Sequence, residues 1–223
     1  MQQAFCDSNI SLTYLAGNCD SYSSKPDLMK SHTTSTQLLV GGLILAAAAY
    51  RVLSATLLSG LPNFSPVMAM AFCGGIFLTG LSAWVVPLGA LFFSDVLLAV
   101  ALGFPLMSGG ALAAWFCTLA AVALGRWMSG RSKGFFPILG GLAGSSLLFY
   151  LVTNSASWLA NPAYAKSWGG LIQSLTVGLP GYPPTWMFFR NSLISDLVFG
   201  AAIFMVWALA SRSAQTAYAE ARA

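Results

Sequence analysis

Long apolar stretches separated by short polar turns occupy the chain from Leu38 to Leu209. A helix rises about 1.5 Å per residue, so about 20 apolar residues cross a hydrocarbon core of about 30 Å. The pattern therefore predicts an all-α integral membrane protein with six transmembrane helices, at residues 38–58, 67–79, 81–103, 111–128, 135–152 and 187–209.

The two ends of the chain are more polar than its middle. Residues 1–36 form a polar N-terminal tail without the basic start, apolar core and small-residue cleavage site of a signal peptide. Met29 and Lys30 directly precede the first apolar run, so residues 1–28 are expected to be either a flexible tail or the product of an over-long translation start. We assign no function to them. We expect one membrane domain at 37–210 and a short cytoplasmic tail at 211–223.

A proline-punctuated turn, 61–66, leads into the second predicted helix. Pro62 and Pro66 lack backbone donors and disfavour helix before them, so Asn63 and Phe64 are predicted to lie in a tight loop. The helix that follows carries Cys73, which has two interpretations: a small packing residue or a reactive ligand. Gly74 and Gly75 likewise fit either close helix contact or space for a ligand.

The longest connection, 155–186, is rich in Pro, Gly, Trp and Tyr, a composition that suits a membrane interface. Residues 168–177 are predicted to form a short interfacial helix. Thr153 and Asn154 are predicted to cap the fifth transmembrane helix.

Composition agrees with this pattern, because 57% of the residues are hydrophobic and only 7% are charged. A soluble domain carries about 25% charged residues. The net charge of +4 is too small for a nucleic-acid surface, and the single histidine, His32, excludes a histidine-rich metal site. The chain has no phosphate-binding loop and no nucleophile with a histidine base, so a conventional enzyme is not indicated.

The basic residues predict the orientation in the membrane. Lys and Arg side chains favour cytoplasmic loops, and they concentrate before the first helix, between the fourth and fifth helices and after the sixth. They are Lys25, Lys30, Arg126, Arg131, Lys133 and Arg212. Both termini are therefore expected in the cytoplasm, and loops 59–65, 104–110 and 155–186 are expected to face outward.

Four polar or reactive residues of separate helices are predicted at one depth. Counting from the outer helix ends places Arg51, Cys73, Asp95 and Asp196 about 10 Å below the outer surface. Charges within the membrane need a partner, water or a ligand, so these residues indicate a shared outward-facing cavity. The alternative is structural: Arg51 pairs with one of the two aspartates and holds helices together.

The six-helix pattern, the orientation and the outward cavity resemble the substrate-binding S component of energy-coupling-factor vitamin transporters. Arg51, the turn 62–66, the segment 73–75 and Ser94–Asp95 resemble more specifically the solitary branch that takes up cobalamin. The resemblance implies transport across the bacterial inner membrane, with Cys73 as the axial ligand of the corrinoid cobalt. The predicted ligand contacts are Cys73, Arg51, Asp95, Asp196, Asn63, Phe64, Asn154 and Arg190.

The resemblance also implies partners and side activities. Cobalamin is the transported ligand, the protein has no cofactor of its own, and bound cyanocobalamin is expected to lose its cyanide. S components dock on a coupling subunit through small residues of the first helix, and Gly42 and Ala46–Ala49 offer such a face. A solitary protein would instead rock in the bilayer without nucleotide hydrolysis, and both possibilities stay open.

Other functions remain as alternatives. The chain fits an S component for another vitamin or precursor, with Cys73 only packing. It also fits a structural subunit of a larger membrane complex, in which the membrane charges only join helices.

Overall fold

The computed structural model describes residues 25–57, 63–103, 106–131 and 134–220, and this part of the chain is helical without strands. Expectations for residues 1–24, including Cys6 and Cys19, and for Pro62 and Lys133 lie outside the described residues. The helices are α1 (Lys25–Leu57), α2 (Val67–Phe77), α3 (Ser82–Leu102), α4 (Gly109–Ser129), α5 (Phe135–Ala160), α6 (Trp168–Leu175) and α7 (Thr185–Glu220).

Five of these helices are long and apolar enough to cross a membrane. They are α3, α4 and α5, the segment Thr34–Ala55 of α1 and the segment Thr185–Ser213 of α7. Large apolar side chains such as Leu38, Val100, Phe116 and Phe136 are exposed on them, as expected where lipid is the solvent. The protein is therefore an all-α, multi-pass membrane protein.

The second predicted span is a short helix at the centre of the bundle. α2 has eleven residues, which span about 16 Å, less than a hydrocarbon core. Every residue of α2 is buried, and the helix contacts α1, α3, α4, α5 and α7. These five helices form a closed ring in the order α1, α3, α4, α5, α7, so α2 is enclosed by protein on all sides.

The chain reverses direction between α1 and α2, again between α2 and α3, and at each later step, so the ring neighbours α1 and α3 run parallel. The Gln37 side chain donates to Thr79 Oγ1 over 2.6 Å, and Arg126 Nη1 donates to the Leu78 carbonyl oxygen over 3.0 Å. The start of α1, the end of α2 and the end of α4 therefore lie together, and we call this the termini end. The rings of Phe135 and Phe204, 5.5 Å apart, place the C-terminal half of α7 there too. The opposite end, which carries α6, is the α6 end.

Glycines allow the central helix to pack closely. A Cβ atom on Gly75 would overlap the carbonyl oxygen of Val122, and one on Gly125 would overlap that of Phe72. A Cβ on Gly74 would meet the ring of Pro87. Gly74 and Gly75 thus serve helix contact, the first of their two interpretations.

Several helix ends differ from the predicted ones. α1 begins at Lys25, within the segment expected as a tail, and α7 continues to Glu220. The cap prediction for Thr153 and Asn154 is wrong, because α5 runs on to Ala160 and both side chains bond to carbonyl oxygens one turn back. The short helix α6 lies inside the predicted segment 168–177, which confirms that a helix forms there.

Candidate functional site

A cavity of about 280 Å³ lies between α5 and α7 at the α6 end of the bundle. Its volume is close to the lower limit, about 300 Å³, of typical small-molecule sites. The residues that line this α5–α7 cavity are Asn63, Ser146, Phe149, Tyr150, Thr153, Asn154, Phe188, Phe189 and Ser192.

A second cavity, of about 270 Å³, adjoins the first and shares Asn154 and Phe188 with it. We call it the loop cavity because the α5–α6 and α6–α7 connections form most of its wall. Its other lining residues are Asn161, Tyr164, Gly178, Leu179, Tyr182, Pro183 and Thr185.

Hydrogen bonds fix the α6 region against α5. The Tyr150 hydroxyl donates to the Leu175 carbonyl oxygen at the end of α6. Trp158 Nε1 donates to the Ala165 carbonyl oxygen over 2.8 Å. The Ser167 hydroxyl accepts from the Gly170 amide and so caps the start of α6. The long connection is thus a defined wall of the cavities.

Asp196 caps the central helix from another element. Its side chain is fully buried, and Oδ1 accepts from the Ala69 amide over 2.9 Å, while the Met68 amide also bonds to the carboxylate. The residue before α2, Pro66, supplies no side-chain cap of its own. Because the first amides of a helix lack intrahelical partners and carry partial positive charge, a carboxylate there is stabilising.

The same carboxylate connects α2 to the α5–α7 cavity. Ser146 Oγ lies 2.7 Å from Asp196 Oδ2, and the Ser192 side chain also bonds to Asp196. Both serines line the cavity. A ligand that contacts these hydroxyls is therefore one hydrogen bond away from the cap of the central helix.

Arg51 pairs with Asp95 rather than with Asp196. Arg51 Nη2 lies 2.6 Å from Asp95 Oδ1, and Nη1 donates to Ser94 Oγ over 2.5 Å. Trp115 Nε1 donates to Asp95 Oδ2 over 3.2 Å. This cluster joins α1, α3 and α4, which is the structural alternative that the sequence left open.

Cys73 is fully buried in the middle of α2 and lines neither cavity. Its neighbours belong to the apolar core, which also contains Cys117. Arg51, Asp95 and Asp196 do not line the cavities either. The shared cavity expected for these four residues is thus neither of the two cavities described above, and it stays a prediction.

Of the other predicted ligand contacts, Asn63 and Asn154 line the α5–α7 cavity. Asn63 adopts a positive φ of 62° in the loop before α2. Phe64 packs its ring on Tyr50, and the Arg190 guanidinium lies over the Trp186 ring and donates to Asn191 Oδ1. Asn63 and Asn154 therefore line a cavity, whereas Phe64 and Arg190 contact aromatic rings outside it.

Most of the cavity wall was not predicted from the sequence, although the spacing of its residues carries a signal. On α5 the lining residues recur with helical spacing and place hydroxyl, amide and aromatic groups on one face; they are Ser146, Phe149, Tyr150, Thr153 and Asn154. On α7, Phe188, Phe189 and Ser192 repeat this spacing. A polar and aromatic face on an otherwise apolar span indicates a surface that does not contact lipid.

No group of three His, Cys, Asp or Glu side chains that could hold a metal ion occurs within the described ranges. No curated protein and no solved structure matches the chain. A family model does match it over residues 31–218, and its description is "Family of unknown function (DUF6580)". Since the match covers most of the chain, the protein belongs to this family.

Proposed function

We propose that this protein is a membrane transport protein that binds a small molecule in the α5–α7 cavity. The observation that carries the proposal is the cavity itself, with hydroxyl, amide and aromatic groups at one end of an otherwise apolar bundle. Polar groups within a membrane domain typically mark substrate pathways. The adjoining loop cavity extends the site toward the α6 end.

We propose an orientation with the termini end in the cytoplasm of a bacterial cell. Arg126, Arg131 and Arg212 lie toward that end, which supports the orientation by the positive-inside rule. The α6 end and both cavities then face outward, in the direction from which a nutrient arrives at the inner membrane.

The resemblance to the solitary S components implies that cobalamin is the ligand. A corrinoid is larger than either cavity, and Cys73 is enclosed in the core. Cobalt ligation by Cys73 therefore requires α2 to separate from its neighbours. A smaller vitamin or precursor fits the α5–α7 cavity without this movement, and the geometry favours it.

A stability assay with a vitamin panel tests the proposed site. A ligand that binds only the folded state at 100 times its Kd stabilises it by about 2.7 kcal/mol. We expect at least one vitamin or precursor to raise the Tm of the purified protein. Thr153→Phe, which fills the cavity, should remove the effect. The proposal fails if no compound raises the Tm, or if the filled variant responds equally.

A visible absorption spectrum tests the cobalamin version separately. The protein is incubated with cyanocobalamin, desalted, and compared with Cys73→Ala and, as a control for a second buried thiol, Cys117→Ala. Retained colour with a shifted spectrum that only Cys73→Ala abolishes would establish cobalt ligation. Absence of retained colour in all three proteins would exclude it and leave the smaller ligand.

Energy coupling also stays a proposal with two forms. Gly41 and Gly42 face open space on α1, and Ala46 is exposed, so a small-residue face is available for a coupling subunit. Solitary transport by rocking of the bundle needs no such contact. Uptake that persists in cells lacking every coupling module would support the solitary form.

A structural role in a larger membrane complex is the second candidate. It is favoured by the partners of the membrane charges, since Arg51 pairs with Asp95 and Asp196 caps α2 within this chain. Obligate co-purification with another subunit, together with no ligand response, would support this role.

A further inference from the structure

The hydroxyl groups of the α5–α7 cavity donate their hydrogens to acceptors within the protein. Thr153 Oγ1 donates to the Phe149 carbonyl oxygen over 2.7 Å, and the Tyr150 hydroxyl donates to that of Leu175. A hydroxyl has one hydrogen and two lone pairs, so each of these groups can only accept a further hydrogen bond.

The two serines of the wall are in the same situation. Ser146 Oγ lies within bonding distance of Asp196 Oδ2 and of the Leu142 carbonyl oxygen, and both of these atoms are acceptors. Ser192 bonds to the same carboxylate. When the carboxylate is ionised it only accepts, so the Ser192 hydrogen points at it, and the single Ser146 hydrogen points at it or at the Leu142 carbonyl oxygen. The serine lone pairs then remain for a ligand.

The Asn154 amide adds an acceptor but also keeps a donor. One Nδ2 hydrogen is donated to the Tyr150 carbonyl oxygen over 2.8 Å, the second remains for a ligand, and Oδ1 is an acceptor. The exposed Asn63 amide can also offer donors, so among the nine lining residues the remaining donors belong to these two amides. None of the nine residues that line this cavity is basic. An anionic ligand would therefore lose its hydration without gaining a charged partner from the wall, at a cost of several kcal/mol.

The apolar part of the wall consists of aromatic rings. Phe149, Tyr150, Phe188 and Phe189 line the cavity, and the rings of Tyr150 and Phe189 pack 4.7 Å apart. Aromatic faces bind flat rings by stacking and attract positive charge through their quadrupole. They repel a negative group placed over the ring.

We propose that the α5–α7 cavity selects a small ring-bearing ligand whose polar edge donates hydrogen bonds and carries no negative charge. An aromatic or heteroaromatic amine, amidine or primary amide has this chemistry. The inference rests on the proposed function, since it names the substrate class of the same cavity. The ligand ring packs on the phenyl groups, and its N–H groups bond to the lone pairs of Thr153, Ser146 and Ser192.

Three probes of nearly equal shape test the selection directly. Benzamidine is a cationic donor, benzamide is a neutral donor and acceptor, and benzoate is an anionic acceptor. Their affinities are measured on the full chain in lipid nanodiscs by ligand-observed NMR titration. We expect benzamidine to bind at least about tenfold more tightly than benzoate, with benzamide between them, because only benzoate leaves the wall acceptors unpaired.

A matched pair of variants assigns the binding to this cavity. Thr153→Val removes one lining acceptor, and the affinity for benzamidine should fall several-fold. Thr118→Val is the control, because Thr118 makes the same bond to the carbonyl oxygen four residues back but lies on α4, away from the cavity. Its affinity should equal that of the parent protein.

The outcomes separate this inference from the proposed function. Benzoate binding that equals or exceeds benzamidine binding, with sensitivity to Thr153→Val, overturns the donor selection but keeps the cavity as a binding site. A benzamidine preference that Thr153→Val leaves unchanged overturns the inference, because the binding lies elsewhere. If no probe binds, the inference also fails, and the vitamin panel decides the proposed function independently.

Discussion

At the scale of single residues, two aspartates in apolar helices have different roles. The Asp95 carboxylate forms an ion pair with Arg51 and accepts a hydrogen bond from Trp115 Nε1, and about a fifth of its side chain is exposed. Asp196 is fully buried and is compensated only by hydrogen-bond donors, two of them backbone amides at the start of α2. The sequence placed both residues at one depth, but it could not show which donors each would meet.

The carboxylate of Asp196 should contribute strongly to stability. Asp196→Asn replaces one acceptor oxygen by an amino group that faces donors, so we expect a loss of about 2–3 kcal/mol in the free energy of unfolding. Unfolding in mixed micelles with increasing SDS measures it. Glu220→Gln, at the exposed end of α7, is the control and should change stability by less than about 0.5 kcal/mol. Equal stability of the two variants would contradict the capping role.

Alanine substitution of two serines, one on α5 and one on α7, should have different effects on the free energy of unfolding. Ser146→Ala removes a hydroxyl bonded to Asp196 and should cost about 1–3 kcal/mol. Ser195 Oγ is buried without a hydrogen-bond partner among the described residues, so Ser195→Ala removes an unpaired polar group and should be neutral or stabilising. The same SDS titration compares them. A destabilising Ser195→Ala would show that this hydroxyl has a partner, such as a buried water.

At the scale of helices, the closest contact is that between α2 and α4. Gly75 and Gly125 face each other's backbones, so the two helices approach without intervening side chains. Close backbone approach also permits weak Cα–H···O contacts. The glycines of α5 differ among themselves: Gly141 meets the Phe72 ring, whereas Gly140 and Gly144 face open space. Of these three glycines, only Gly141 therefore supports close helix approach.

Alanine substitutions should distinguish packed from open glycines. Gly75→Ala places a Cβ against the Val122 carbonyl oxygen, and separation of α2 from α4 should cost about 1–3 kcal/mol. Gly144→Ala meets nothing within 4 Å and should stabilise α5 by up to about 1 kcal/mol through helix propensity. Thermal unfolding of the two purified variants checks this. Similar Tm values would argue against the tight α2–α4 contact.

The helices were largely predictable from the apolar pattern, whereas the site was not. Residues 81–103, 111–128 and 187–209 each fall within or beside a helix of the structure, because lipid selects for long apolar runs. The end of α5 was missed because Thr153 and Asn154, good capping residues, here bond back along their own helix. The cavity requires knowledge of which faces of α5 and α7 meet, and periodicity alone does not give that pairing.

At the scale of the whole molecule, three arginines lie at the end opposite the cavities, while Lys166 lies exposed at the α6 end. Arg126, Arg131 and Arg212 lie toward the termini end, whereas the cavities lie toward the α6 end. Such a division orients a bundle in the membrane and gives its two faces different tasks.

Cysteine labelling in whole cells tests this orientation. Ala163 is exposed in the α5–α6 connection and Gly130 is exposed after α4, so each is replaced by cysteine in a background that carries Cys6→Ser and Cys19→Ser. The other two cysteines, Cys73 and Cys117, are buried. A membrane-impermeant maleimide should label Ala163→Cys in intact cells, and Gly130→Cys only after permeabilisation. The reverse result would invert the proposed topology.

The cap that Asp196 provides has a consequence for the order in which the chain assembles during synthesis. The Ala69 amide and the Asp196 carboxylate are 127 positions apart in the sequence. The hydrogen bond that caps α2 therefore cannot form until α7 has been synthesised. Until α7 is inserted, the first amides of α2 lack this acceptor, and an eleven-residue helix is too short to anchor itself in the bilayer. In a nascent chain that stops before residue 196, α2 should therefore be held only by a hairpin with α3. Resistance of α2 to protease should appear only in longer chains, in which α7 has been inserted.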